Sequence, residues 1–271
     1  MKRYRVLDPN LPDRGARGLC ALAVMTKAPQ AGRVKTRLVP PLTPEEAAEL
    51  NKCFLRDTVA AISSVCSRRP VGDASKMQFE HAGASHSKAA TAACGIAVYT
   101  PVGAESAYTD ILPADFSLLP QRGDGFGERL YFAVEDLFKC GFDSVCLIDS
   151  DSPTVPAENF QQAVELLSMG EDRVVLGPSD DGGYYLIGVK KPHQHLFDQI
   201  DWSTERVLNQ TIQRATEIGL EVKLLPTGYD VDDGASLRRL CNEILADTTA
   251  ADIAPYTRQF LASFVERKKL L

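Results

Sequence analysis

What is scarce in this 271-residue sequence narrows its class before any motif is read. Positive charge is not in excess: 30 Lys and Arg face 36 Asp and Glu, a net charge of −6. A general nucleic-acid binder relies on a basic face, so no nucleic-acid partner is expected. Long apolar runs are missing. The first apolar stretch, LCALAVM at 19–25, is far too short to cross a bilayer. The residues before it lack the unbroken apolar segment of a signal peptide, and the expectation is a cytoplasmic protein with no membrane span. The seven cysteines are odd in number and no two lie two or three positions apart. Several sit inside apolar runs, which suits reduced core residues better than a disulfide framework or a zinc site. His193 and His195 fall in an expected loop without a supporting Cys or Glu pattern, and no G-x-S-x-G elbow is present.

What is present is ordinary globular material, 44% hydrophobic and 24% charged, in a chain long enough for a sizeable core. Short apolar runs at 19–25, 95–100, 144–148, 173–176, 184–189 and 221–225 read as strands. Helical patterns lie between them. The first has Thr43 as N-cap, Pro44 at the first helical position and Glu46 completing a capping box. Its stripe of Leu50, Phe54, Ala61 and Val65 faces a core, and Asp57 shares that spacing. A carboxylate buried there needs a partner, for which Arg37 is the expectation. Further helices are expected over 125–140, 156–169 and 203–218, with a helical start at 237–245. Alternation of this kind implies a single α/β domain with a mostly parallel sheet and helices on both faces. That domain is placed at 19–245, followed by a C-terminal helical tail at 246–271. The segment 68–94, rich in Ala, Ser, Gly and Lys, reads as a loop or insertion, and 184–189 as a candidate antiparallel strand.

Five constellations carry chemistry. Asp149-Ser150-Asp151 directly follows a buried strand, where open α/β sheets bind ligands. Two carboxylates two residues apart in an extended segment point the same way and can reach one hard cation, Mg²⁺ or Mn²⁺. The bland alternative is a turn and helix entry. The loop from Lys27 to Arg37, with Gly32 and Lys35, brings cations and backbone N–H groups toward an anion such as phosphate. Val34 in front of Lys35 rules out a Walker A loop, and a solvated basic loop is the alternative. Asp180-Asp181-Gly182-Gly183-Tyr184-Tyr185 combines glycines that admit close approach with tyrosines that offer stacking and hydroxyl contacts, and also reads as a hairpin turn. Trp202-Ser203-Thr204 holds the only tryptophan, with Ser203 expected as a helix N-cap. Asp230 and Asp232 repeat the spacing of Asp149 and Asp151, or cap the last helix.

Taken in order, KAPQAGRVKTRL, FLRDT, LPQRGDGFGERL, LIDSDSP, LGPSDDGGYYLIG, WST and DVDD resemble the GT-A-type "selenodomain-associated transferase 1" family, whose members are also described as arsenosugar-biosynthesis glycosyltransferases. The resemblance covers about residues 19–240. It implies a nucleotide-diphospho-sugar transferase fold with relatives among nucleotidyltransferases. It implies that Lys27, Lys35 and Arg37, with Gly32, face nucleotide phosphates, and that Asp149, Asp151 and Asp232 face a divalent metal. Two features depart from the family pattern: Asp149 stands where glycine is expected before S-D-S-P, and 68–94 is longer than the usual connection.

The expectation is therefore a metal-dependent glycosyltransferase acting on a nucleotide-diphosphate sugar and a small-molecule acceptor. Asp151 and Asp181 are its candidate catalytic carboxylates, and Gly182, Gly183, Tyr184, Trp202, Ser203 and Thr204 its candidate substrate contacts. Two rivals stay open: a nucleotidyltransferase joining an NTP to a phosphorylated small molecule, and a nucleotide-binding protein without chemistry. The oligomeric state also stays open, a homodimer among the alternatives.

Overall fold

Eight strands form one sheet in the order β1-β4-β3-β2-β5-β7-β6-β8 in a computed structural model that describes residues 4–67, 92–246 and 253–268. The strands are β1 (Arg5–Val6), β2 (Leu19–Lys27), β3 (Ala92–Thr100), β4 (Ser117–Pro120), β5 (Ser144–Ile148), β6 (Arg173–Pro178), β7 (Tyr184–Val189) and β8 (Glu221–Leu224). Every pairing is parallel except those of β7, which runs against both β5 and β6. Parallel strands buried on both faces read as continuous apolar runs. β5 obeys this rule in full, with all five residues buried.

The helices are α1 (Pro44–Cys66), α2 (Phe126–Cys140), α3 (Ala157–Ser168), α4 (Val207–Glu217), α5 (Gly234–Ala246) and α6 (Pro255–Lys268). Alternate residues of β2 sort to the two faces of the sheet. Cys20, Leu22 and Val24 meet α1 and α3 through Leu55, Val59 and Phe160. Ala21 and Ala23 share the opposite core with Leu130, Val134 and Leu137 of α2 and Ala215 of α4. A third cluster joins Leu50 and Phe54 of α1 to Leu240 of α5 and to Leu261 and Phe264 of α6.

Several expectations are met. Thr43 and Glu46 make the reciprocal capping box. The antiparallel strand is β7. The cysteines are free among the described residues. Of the expected 68–94 loop, residues 68–91 lie outside the described residues and 92–94 begin β3.

Other expectations are corrected. β1 and β4 were not foreseen: β1 is two exposed residues and β4 only four, too short for a periodic pattern. Helix α4 starts at Val207, not 203; its N-cap is Arg206, and Ser203 stands at φ +65° inside a turn closed by Thr204 Oγ1 donating to the Asp201 carbonyl (2.7 Å). Asp57 is buried as expected, but its partner is not Arg37. Its carboxylate accepts from the Tyr256 N–H (3.0 Å), the Thr257 N–H (2.9 Å) and Thr257 Oγ1 (2.6 Å). It thereby satisfies the orphan donors at the start of α6, almost two hundred residues away in sequence.

Candidate functional site

Strands β2 and β5 are neighbours, but the chain leaves β2 toward β3 and β4 on one side and returns to β5 on the other. Such a switch point leaves a crevice beyond the carboxyl ends of the strands. The loop after β2 carries Lys27 to Arg37 and the loop after β5 carries Asp149 to Asp151, so the two motifs meet across it. A third segment arrives after β8. It is held by Gly228 N–H donating to the Pro178 carbonyl (2.8 Å), Asp180 N–H to the Gly228 carbonyl (3.1 Å) and Val231 N–H to the Asp151 carbonyl (2.9 Å). Asp230 and Asp232 are thus delivered beside Asp151. The neighbouring Asp233 takes the capping task instead, accepting from the Ala235 and Ser236 N–H groups of α5 (2.9 and 2.8 Å).

The crevice has two lobes. The first, about 380 Å³, is lined by Lys27, Arg33, Lys35, Thr36, Arg37 and Arg129, with Asp151 and Asp232 at one side. The second, about 530 Å³, is lined by Asp149, Asp181, Asp230, Phe126, Trp202 and Glu205, along with Gly183, Tyr184, Ser203 and Thr204. Met25, Arg37, Phe126 and Asp232 belong to both, so the lobes open onto each other.

Lys35 sits at the junction. Its backbone adopts the left-handed region (φ 48°), and its side chain is only 4% exposed. The ammonium donates to the Val231 carbonyl (2.8 Å) and to Asp232 Oδ1 (2.9 Å), and lies 3.0 Å from Asp151 Oδ1. An ammonium has three donors, and all three are engaged within the protein. Burial works against its charge, but the Asp151 and Asp232 carboxylates outweigh that and hold its pKa above the ordinary lysine value. Asp149 is the opposite case. Burial pushes its carboxyl well above the usual range and the Asp151 charge adds to this, while Ser152 Oγ donates to Oδ2 at 2.8 Å. Asp230 is raised to about 6 by burial and by the nearby Asp181 and Asp232 charges.

The remaining candidates divide. Lys27 and Arg37 line the basic lobe with their side chains exposed to it. Gly32 lines neither lobe and is a positive-φ turn residue (φ 72°). Gly182 also lines neither. At φ +91° a Cβ there would stand 2.2 Å from the Glu205 carbonyl oxygen, and its own carbonyl accepts from the Leu208 N–H (2.9 Å), so it joins the β6–β7 turn to the 202–208 segment. Gly183 donates its N–H to Asp181 Oδ1 (2.9 Å) and lines the second lobe. Tyr184 lines the second lobe while its hydroxyl is buried. Trp202 meets Phe126 edge-on (centroids 5.2 Å apart, 75°). A Cβ at Gly127 would approach Trp202 Nε1 to 2.5 Å, which explains a glycine inside α2.

Arg33, Arg129, Phe126 and Glu205 line the lobes without having been singled out as site residues, whereas Asp230, flagged with Asp232 by its spacing, does face the second lobe. Arg129 is pinned by donating to the Gly123 and Asp124 carbonyls (3.2 Å each), and the signal for it was a G-E-R tripeptide in the first turn of a helix after a glycine loop. Among the described residues, no three His, Cys, Asp or Glu side chains converge as a ready-made metal cage.

The comparisons bear on the fold. Residues 85–204 match a family described as an uncharacterized protein conserved in bacteria, DUF2064. No curated protein matches the chain. The crystal structure of a proposed nucleotide-diphospho-sugar transferase from Desulfovibrio desulfuricans G20 superimposes with a TM-score of 0.68 at 27% identity, covering 90% of this chain and 98% of that one. A 4-diphosphocytidyl-2C-methyl-D-erythritol synthase from Anaerococcus prevotii DSM 20548 shares the fold at a TM-score of 0.50 and 12% identity, over 85% of this chain and 97% of that one. The chain shares its fold with that proposed nucleotide-diphospho-sugar transferase and matches the DUF2064 model across residues 85–204.

Proposed function

We propose that the chain is a glycosyltransferase that takes a nucleotide-diphosphate sugar and transfers its sugar to a small molecule. The observation that carries this reading is the division of the crevice into a cationic lobe and a contiguous carboxylate- and aromatic-lined lobe, joined at Arg37 and Asp232. A diphosphate suits the first, with Lys27, Arg33, Arg37 and Arg129 as its counter-charges. The donor's sugar ring and the acceptor that attacks it share the second, where Trp202 and Phe126 offer apolar faces and the carboxylates accept from hydroxyl groups.

A divalent cation fits in one particular sense. Asp151 and Asp232 already converge on one positive charge, that of Lys35, at 3.0 and 2.9 Å. Two carboxylates from the protein, with phosphate and water completing the shell, is how Mg²⁺ is commonly held. Asp151 and Asp232 would hold it, with Asp149 behind them, and it would neutralise the diphosphate as leaving group. The chain's own groups do the rest. Arg37 and Arg129 orient the diphosphate. Asp181, whose Oδ1 is fixed by the Gly183 N–H, takes the proton of the attacking acceptor hydroxyl as the anomeric C–O bond to phosphate breaks. Lys35 releases Asp151 and Asp232 when phosphate oxygens offer it other acceptors.

The second reading, a nucleotidyltransferase, is favoured by one observation: four cations besides Lys35 line the basic lobe, enough for a triphosphate. Two assays separate them. One offers nucleotide sugars with Mg²⁺ or Mn²⁺ and follows nucleoside diphosphate release. The other offers the four NTPs with sugar phosphates or phospholactate and follows pyrophosphate. Pyrophosphate without nucleotide-sugar turnover would replace the first reading by the second.

A further inference from the structure

We infer that the acceptor is a hydroxyl- or amine-bearing molecule with no anionic group of its own, neutral or cationic. This rests on the glycosyltransferase reading and adds to it the charge class of the second substrate.

The inference comes from the charges that face the second lobe from every wall. Asp149 enters from the end of β5, Asp181 from the β6–β7 turn, Glu205 from the segment before α4, and Asp230 and Asp232 from the segment after β8. Among the described residues that line this lobe, one cation stands against these five carboxyls: Arg37, on the boundary with the basic lobe and so on the phosphate side. The other basic side chains near this wall are turned to other partners. Arg206 pairs with Asp201 (3.1 Å), Arg239 with Asp180, and Lys35 with Asp151 and Asp232. A divalent cation at Asp151 and Asp232 cancels two charges at the junction and leaves Asp181 and Glu205 as they are.

A phosphate or carboxylate brought here would lose its water and meet like charge. A hydroxyl or ammonium is a donor, and it meets acceptors on three sides. The aromatic wall adds to this preference. Phe126 is 56% exposed beside Trp202, giving a ring face for the apolar side of a sugar or for a cation.

The test uses the full chain with saturating Mg²⁺ and nucleoside diphosphate, and titrates four matched probes by NMR: methyl β-glucoside, glucosamine, glucuronate and glucose 6-phosphate. Methyl glucoside and glucosamine should bind, and the two anions at least about tenfold more weakly, equivalent to about 1.4 kcal/mol or more. Glu205 is exposed on the lobe wall and outside the proposed bond-making groups. Glu205→Lys should narrow or invert that preference while leaving nucleoside diphosphate affinity unchanged. Anions binding as well as the neutral probe, or no probe binding at all, would overturn the inference. Failure of all four nucleoside diphosphates to bind in the control titration would instead bring down the glycosyltransferase reading beneath it.

Discussion

The two lobes of the crevice differ less in position than in how the chain builds them. Both lie beyond the carboxyl ends of the same strands and share four residues. The basic lobe draws most of its charge from one contiguous stretch, Lys27 to Arg37. The acidic lobe draws its five carboxyls from four separate segments, at 149, 181, 205 and 230–232. A contiguous motif can present an anion-binding wall with little help from the rest of the fold. Carboxyls gathered from distant segments need a packed scaffold to hold them together, because repulsion and desolvation oppose their convergence. The difference teaches that the cationic side recognises and the anionic side is held under electrostatic stress, which a substrate or a cation relieves.

The comparison breaks first at the junction. Asp151→Ala should abolish Mn²⁺-dependent nucleotide binding, a loss of about a hundredfold or more, since a phosphate-bridged cation loses half of its protein ligands. Calorimetry with and without Mn²⁺ checks it, and an unchanged metal-dependent affinity would remove Asp151 from that role.

Lys35→Met tests whether the junction is stressed. Removing a buried ammonium leaves two carboxylates facing each other, at a cost of about 3 kcal/mol or less because both are partly solvated. The melting temperature should fall by several degrees. Mn²⁺ without nucleotide should then restore more stability to this variant than it adds to the wild type. A Mn²⁺ response no larger than in the wild type would show that Lys35 is not the resident counter-charge.

Arg37→Ala sharpens the other side. With Asp57 served by α6, Arg37 is free for the ligand, and its loss should weaken a nucleoside diphosphate about tenfold at little cost in stability. Asp57→Ala should do the reverse. It removes the cap of α6, costs about 1–2 kcal/mol, and leaves nucleotide affinity unchanged. Chemical denaturation and a binding titration on the same two variants decide between these assignments, and crossed results would reverse them.

The smallest effect is a pH dependence. Asp230, raised to about 6, binds a proton in the folded chain more readily than in the unfolded one. Between about pH 4 and 6 the folded state therefore carries more protons, and this group's contribution to stability falls as pH rises through that window. Asp230→Asn removes that slope, so its melting temperature should gain on the wild type by a few degrees between about pH 4.5 and pH 7. Parallel melting curves across that range would mean that Asp230 is not under the charge stress described.

The strands with long apolar runs and the capped helix α1 were legible because burial on two faces and a cap leave marks on consecutive residues. β1 and β4 left none, being too short to show a period. Ser203 looked like a cap because its residue type is right for one, yet the 202–205 segment is instead shaped by the backbone contact between Glu205 and Gly182. The seven motifs brought the right segments under suspicion. They did not separate Asp233, a cap, from Asp230 and Asp232, which face the crevice, because adjacent carboxylates are alike in sequence.

By itself, then, the sequence determined the α/β alternation, the buried strands, the basic loop and the acidic tips, since each is written in the spacing of neighbouring residues. Only the tertiary structure decided which of those charges meet. It turned Lys35 inward to Asp151 and Asp232, gave Asp57 to α6 and left Arg37 to the crevice, and gathered five carboxyls from four segments around one lobe. The physical reason is that a charge's partner is set by distance through space and by the water excluded around it, and neither quantity is carried by the local order of residues.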